Sequence, residues 1–121
     1  MQNSKVDLKV GCYRFSLDII SLTDALPNKR SAWVISDQLI RAATSIGANI
    51  VEARASSSRL EFKKFYEIAL KSANETKYWL ALLKELSVNN ADKIQYFLNE
   101  TTEIAKIIGS SVLTLKGKTK L

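Results

Sequence analysis

The sequence contains no histidine and only one cysteine, Cys12. A single cysteine cannot form a disulfide within the chain, and a chain without histidine lacks the ordinary ligand set for zinc or another transition metal. We therefore expect no disulfide framework, no metal site and no cofactor. Cys12 itself is expected to be a small buried hydrophobic residue, because a reactive thiol needs an activating base beside it.

Proline and glycine are also scarce, with one proline and four glycines in 121 residues. This scarcity favours long helices over a turn-rich β fold, and the length suits one domain. No window approaches the roughly 20 apolar residues of a membrane span, and the first residues, MQNSKVDLKVG, lack the continuous apolar segment of a signal peptide. The sequence therefore predicts a cytoplasmic protein with no membrane partner.

Acidic residues are outnumbered, with 12 Asp and Glu against 18 Lys and Arg, for a formal net charge of +6. The excess lies mainly around the second predicted helix and at the C-terminal end. Such a charge suits an anionic partner such as RNA, but it also suits a solvated surface with a favourable net charge. The charge alone leaves both interpretations open.

Apolar residues recur at spacings of three and four through most of the chain, which predicts amphipathic helices. The expected helices cover about residues 7–26, 31–55, 59–87 and 91–115. Short connections make successive helices antiparallel, so we predict an all-α fold, an antiparallel up-and-down four-helix bundle. Residues 1–115 would form this single domain, and residues 116–121, with no apolar period, would form a basic C-terminal tail.

Turn and capping residues set the predicted helix ends. Pro27 stops the first helix, because the residue before a proline is pushed out of the α region. Ser31 is a candidate cap for the second helix. Ser58 and Glu61 have the spacing of a capping box that opens the third.

The second predicted helix has two neighbouring stripes of different character. The first is apolar and predicts a core face: Ile35, Leu39, Ala42, Ile46, Ile50 and Ala53. The second, which we call the polar ladder, consists of Gln38, Arg41, Ser45, Asn49 and Glu52. Polar side chains on one helical face often join helices through hydrogen bonds, within a chain or between chains, although they could also bind a ligand. Trp33, Ile40 and Val51 fall on the far side, so this helix is expected to be covered on more than one side.

No catalytic constellation stands out in the sequence. There is no glycine-rich phosphate loop and no Glu-x-x-His pair. Glu52 and Glu75 lie near the edges of apolar stripes, where pairing with Arg41, Arg54 or another basic side chain is favoured over general acid or base chemistry. We therefore expect no enzymatic activity and group Glu75 with the polar ladder.

Two segments carry a family resemblance: QLIRAATSIGANIVEA at residues 38–53 and SRLEFKKFYEIALKSANETKYWL at residues 58–80. They resemble small four-helix-bundle proteins encoded in intervening sequences of bacterial large-subunit rRNA genes, which often carry a ribosomal-protein label. The chain departs from that pattern at Ala53 and Ala55, where a glycine is expected, and at Asn74, where a hydrophobic residue is usual. The matching positions are Gln38, Arg41, Ala42, Ser45, Ile46, Asn49, Ile50, Glu52, Phe62, Phe65, Ile68, Ala69, Ser72 and Glu75.

The resemblance implies an antiparallel four-helix bundle that assembles as a homopentamer around a central channel. It extends to the accessory proteins of diversity-generating retroelements, which are pentamers that bind a reverse transcriptase and nucleic acid. Our first hypothesis is therefore a non-enzymatic, oligomeric RNA- or nucleic-acid-binding accessory protein. The alternative is a structural platform for another protein, such as a reverse transcriptase, without direct binding of nucleic acid.

Basic residues near the predicted helix ends are the candidate phosphate contacts for the first hypothesis. Because the helices alternate in direction, the basic residues at the two ends of the second helix need not serve one site. The candidates are Lys29, Arg30, Arg54, Arg59, Lys116, Lys118 and Lys120.

Overall fold

The computed structural model describes residues 7–119, with side chains described as far as residue 117. Within that range the chain forms helices and no strand. The helices are α1 (Leu8–Asp24), α2 (Arg30–Arg54), α3 (Arg59–Leu86) and α4 (Ala91–Thr119), with a short 3-10 turn at Val88–Asn90 between α3 and α4. The predicted all-α, up-and-down four-helix bundle is confirmed.

The core follows the predicted apolar stripes. On α2 the stripe is buried as predicted, except that Ile35 is only half-buried. Helix α2 packs along α3, and α3 packs along α4. Helix α1 packs mainly on α2 and meets α4 where the rings of Phe15 and Phe97 form an edge-to-face contact with centroids 6.4 Å apart.

The closest approach of α1 to α2 lies at Gly47. A Cβ atom built on Gly47 would stand only 3.1 Å from the Cβ of Cys12, so a larger residue there would push the two helices apart. Cys12 is 1% exposed, and this burial raises the pKa of its thiol to about 12. Cys12 is therefore the small buried residue expected from the sequence, and its thiol stays protonated at neutral pH.

Two helix ends differ from the sequence prediction. Helix α1 ends at Asp24, two residues before the predicted end. Helix α2 begins at Arg30, so the prediction that Ser31 caps it is wrong. The first helical hydrogen bond runs from the Trp33 N–H to the Lys29 carbonyl, at 3.0 Å, which places Ser31 inside the first turn. Lys29 has an extended backbone and no side-chain acceptor, so this end has no side-chain cap.

The turn between α2 and α3 forms without a glycine. Ala55 caps α2 with φ −89°, in the ordinary right-handed region, so the expected glycine is not needed there. The predicted cap at Ser58 is confirmed, because its Oγ accepts a hydrogen bond from the Glu61 N–H at 3.1 Å. The Glu61 carboxylate reaches back to the N–H of Ser57, also at 3.1 Å.

Helix α4 is longer than the sequence prediction. It was expected to end near residue 115, before a basic tail, but it continues to Thr119. The absence of an apolar period does not stop a helix, since leucine and lysine are good helix formers and one interior glycine, Gly117, costs only about 1 kcal/mol. Of the predicted tail contacts, Lys120 and the side chain of Lys118 lie outside the described residues.

Candidate nucleic-acid interface

One end of the bundle brings together basic residues from all four helices. The alternating helix directions bring together the start of α1, the end of α2, the start of α3 and the end of α4. Predicted contacts Arg54, Arg59 and Lys116 all lie at this end. We call the following group the basic end: Lys9, Arg54, Arg59, Lys63, Lys64 and Lys116.

The other two described candidates, Lys29 and Arg30, lie at the opposite end of α2. A helix rises 1.5 Å per residue, so the 25 residues of α2 separate them from Arg54 by more than 30 Å. Asp24 and Asp37 line a cavity formed by the same turn and the start of α2. The predicted contacts therefore do not form one continuous surface.

Ion pairing and burial limit what the basic end offers a ligand. The Lys116 ammonium lies 4.0 Å from the Glu67 carboxylate, so part of its charge is already balanced by α3. Tyr66 stacks on Phe62 with ring centroids 4.7 Å apart, but it is only 7% exposed. Burial raises the pKa of Tyr66, and the nearby Arg54 opposes that rise. This end therefore presents cations suited to phosphate contacts, and the Tyr66 ring is too buried for base stacking.

The polar ladder lies along the seam between α2 and α3. Its first part is built around Arg41, which donates to Gln38 Oε1 at 2.8 Å and forms an ion pair with Glu75 across the seam. The indole N–H of Trp79 donates to the same Glu75 carboxylate at 2.8 Å. The Trp79 and Arg41 hydrogen bonds hold the pKa of Glu75 below its ordinary value, despite some desolvation.

The second part of the ladder is a set of small polar side chains. The hydroxyls of Ser45 on α2 and Ser72 on α3 lie 2.9 Å apart. The amide of Asn49 donates to the Ser45 carbonyl at 2.8 Å and to its hydroxyl at 3.0 Å. The contact between Ser45 and Ser72 joins two helices of the same chain, whereas the Asn49 hydrogen bonds stay within α2.

Glu52 does not behave as the sequence predicted. Glu75 pairs with Arg41, as expected, but Glu52 is exposed and has no ion pair within the described part of the chain. The sequence analysis did not identify Trp79 as a partner of Glu75, although the two residues lie four positions apart on α3, the spacing at which side chains of one helix meet.

A second surface, on α1, was not anticipated. The side of α1 opposite the core carries four exposed apolar residues at spacings of three, four and three, which we call the α1 stripe: Val10, Tyr13, Leu17 and Ile20. A groove of about 410 Å³ runs beside it, lined by α1 residues and by Thr44, Ala48 and Val51 of α2. On α2 itself, Trp33 and Val51 are 60% and 44% exposed, so the far side of α2 is uncovered in the single chain.

The described residues contain no group of three His, Cys, Asp or Glu side chains placed to hold a metal ion. Among the same residues, no helix is long and apolar enough to cross a membrane.

The chain matches the family model of the 23S rRNA-intervening sequence protein over residues 6–110. It is also similar to a solved structure from Bacteroides thetaiotaomicron VPI-5482, described as a protein with unknown function from the S23 ribosomal protein family. The two share 39% sequence identity with a TM-score of 0.79, over 86% of this chain and 96% of that one. A comparison with curated proteins finds no match.

Proposed function

We propose that this chain, which belongs to the 23S rRNA-intervening sequence protein family, is a cytoplasmic, non-enzymatic accessory protein that self-associates and binds RNA. The observation that carries the proposal is the basic end, where helix ends from all four helices bring lysines and arginines together. Closely spaced cations release counterions from a phosphate backbone, which is the main source of affinity for nucleic acid.

Charge at the two ends favours one of them as the RNA surface. Arg54 and Arg59 flank the turn between α2 and α3 and have no ion pair within the described residues. At the opposite end, Asp24 and Asp37 line a cavity next to the start of α2, and carboxylates repel phosphate. We therefore assign the RNA contacts to the basic end.

Self-association would multiply this charge. The α1 stripe exposes Tyr13 and Leu17 by 66% and 51%, and an exposed apolar row on a soluble helix marks a surface for association. The family resemblance implies a homopentamer, and cyclic symmetry would repeat the basic end around a ring. A ring of basic ends would contact several phosphates of one RNA at once.

The proposal assigns no chemistry to the acids of the polar ladder. A general acid needs a pKa near the working pH, whereas the pKa of Glu75 is lowered and the carboxylate stays ionised. One of its oxygens, Oε2, accepts hydrogen bonds from both Arg41 and Trp79. We therefore propose that this cluster holds α2 to α3.

RNA binding is tested by measuring the affinity for a structured RNA across a series of salt concentrations. We expect Arg54→Gln/Arg59→Gln to weaken binding about tenfold and to reduce the slope of log affinity against log salt by about 1.5, since each phosphate contact contributes about 0.7 to 0.9. The matched control, Lys29→Gln/Arg30→Gln, removes the same charge from the opposite end. We expect it to have little effect.

Two results would contradict the proposal. The first is an absence of RNA binding at low salt. The second is an equal loss of affinity in the two double variants, which would mean that net charge alone matters and that the basic end is not the site.

The α1 stripe favours a second candidate function, a platform for another protein. Its apolar side chains and the adjoining groove would suit the apolar face of a partner helix. If this candidate is correct, a purified protein partner binds after nuclease treatment, and Leu17→Glu abolishes that binding. The parent protein then has no affinity for RNA.

A further inference from the structure

A cavity of about 390 Å³ lies where the end of α1, the turn before α2 and the first turns of α2 meet. Its lining includes Asp24 from α1 and Trp33, Ser36 and Asp37 from α2. Its volume falls in the range of sites for small organic groups, roughly 300 to 1,000 Å³. The cavity lies at the end of the bundle opposite the basic end and plays no part in the proposed RNA contacts.

Among residues 7–117, neither aspartate of this cavity has an ion-pair partner, and the Trp33 ring stacks on no other aromatic ring. Asp24 and Asp37 form no ion pair in the described residues, although Lys29 and Arg30 are close along the sequence. Trp33 is 60% exposed, although tryptophan has a large apolar surface. The face of an indole attracts cations, most strongly when carboxylates lie nearby.

Ser36 gives an independent indication of a ligand. It is only 8% exposed, and its hydroxyl has no hydrogen-bond partner among the described residues. Other hydroxyls in these helices bond back to the carbonyl four residues earlier, as Thr44 does to Ile40 at 2.7 Å and Thr76 does to Ser72 at 2.7 Å. The Ser36 hydroxyl is therefore an unpaired group that stays accessible inside the cavity, where it can accept a hydrogen bond from a bound group.

We infer that this cavity binds one guanidinium group, supplied by an arginine side chain of a protein. A planar guanidinium stacks on an indole face, and its five N–H donors can serve Asp24, Asp37 and Ser36 together. A lysine ammonium has only three donors and no plane to stack, so it binds more weakly. The arginine comes from a second copy of this chain or from another protein, and both sources present the same chemistry.

The test uses Nα-acetyl-arginine amide, which carries a single guanidinium, and follows the indole N–H resonance of Trp33 by NMR. Trp33→Phe identifies that resonance and separates it from that of Trp79. We expect a saturable shift with a dissociation constant on the order of 10 mM, typical of one cation on an exposed aromatic and carboxylate site. Nα-acetyl-citrulline amide, which has the same shape without the charge, is expected to cause no saturable shift.

Charge-matched variants test the assignment of the carboxylates. Asp24→Asn/Asp37→Asn is expected to weaken binding about tenfold, as two exposed ion pairs would. Glu85→Gln/Asp92→Asn removes two carboxylates from the same end of the bundle and is expected to leave affinity unchanged. No saturable shift, equal binding of the citrulline compound, or equal weakening by both double variants would overturn the inference.

Protein dilution distinguishes the two sources of the guanidinium. A Trp33 shift that depends on protein concentration and is lost in Arg54→Gln/Arg59→Gln assigns the group to a second copy. A Trp33 resonance that does not change on dilution, together with binding of the arginine compound, assigns it to another protein. A shift of the Trp33 resonance in dilute Lys29→Gln/Arg30→Gln would show that the chain fills its own cavity and would overturn the inference.

Discussion

Replacing Glu75 with glutamine tests how strongly the polar ladder holds α2 to α3. The carboxylate accepts hydrogen bonds from Arg41 and from the Trp79 indole, and glutamine keeps the shape but loses the charge. The Arg41 and Glu75 side chains are 55% and 36% exposed, so solvent screens the ion pair to at most about 1 kcal/mol. With the weakening of the Trp79 bond, we expect Glu75→Gln to lower the free energy of unfolding at pH 7 by about 1 kcal/mol and Tm by about 4 °C.

The direction of the Glu75 pKa shift determines the pH range in which Glu75→Gln lowers the free energy of unfolding. The pKa of Glu75 is lowered in the folded chain, so its contribution is fully present above the ordinary value of 4.5 and is lost as the pH falls through the folded-state pKa. Urea unfolding followed by circular dichroism at a series of pH values from 7 downward should show that the difference between parent and variant shrinks as the pH falls through the folded-state pKa of Glu75. Glu103→Gln, at an ion pair with both side chains 70% exposed, is the control and should change little. A deficit in Glu75→Gln that persists in acid, or one no larger than in Glu103→Gln, would refute the reasoning.

Three further predictions concern stability and assembly. Gly109→Ala places its new Cβ with nothing within 4 Å and should stabilise the chain by about 0.5 to 1 kcal/mol in urea unfolding. Gly47→Ala should not give this stabilisation, because its new Cβ would crowd Cys12 on α1. Equal stabilisation by the two variants would contradict the close contact. Glu100→Gln should raise the free energy of unfolding at pH 7 but not at about pH 3. Desolvation and a nearby aspartate raise the pKa of Glu100, so its ionisation destabilises the folded state as the pH rises. An unchanged urea midpoint at pH 7 would contradict this. Tyr13→Glu/Leu17→Glu should convert the assembly to single chains in sedimentation while circular dichroism stays helical, and an unchanged assembly would remove the α1 stripe as its interface.

Most of the fold can be predicted from the periodicity of apolar residues and from the capping residues. The buried faces follow local spacing, and the Ser58 cap follows a local hydrogen bond, so both can be read from the sequence. The start of α2 could not be predicted in this way, because Ser31 is a good capping residue but lies two positions after Lys29, the N-cap residue of the helix. The end of α4 was predicted near residue 115, but the helix continues to Thr119, because no helix-breaking residue such as proline follows the last apolar repeat.

The candidate site was harder to predict than the fold. Alternating helix directions do group Arg54 and Arg59 away from Lys29, which was foreseen. Glu75 and Trp79 lie four residues apart on α3, a spacing that places both side chains on one face of the helix, but the spacing does not show that the indole N–H is bonded to the carboxylate. The α1 stripe was overlooked even though its spacings were visible, because the stronger core stripe on the same helix accounted for the periodicity.

Native mass spectrometry, with and without a structured RNA, tests the proposed function most directly. We predict a particle of several copies of the 13.5 kDa chain, five if the family resemblance extends to assembly, which gains the mass of RNA when RNA is added. A single chain at 13.5 kDa that takes up no RNA at low salt would contradict both the self-association and the RNA binding.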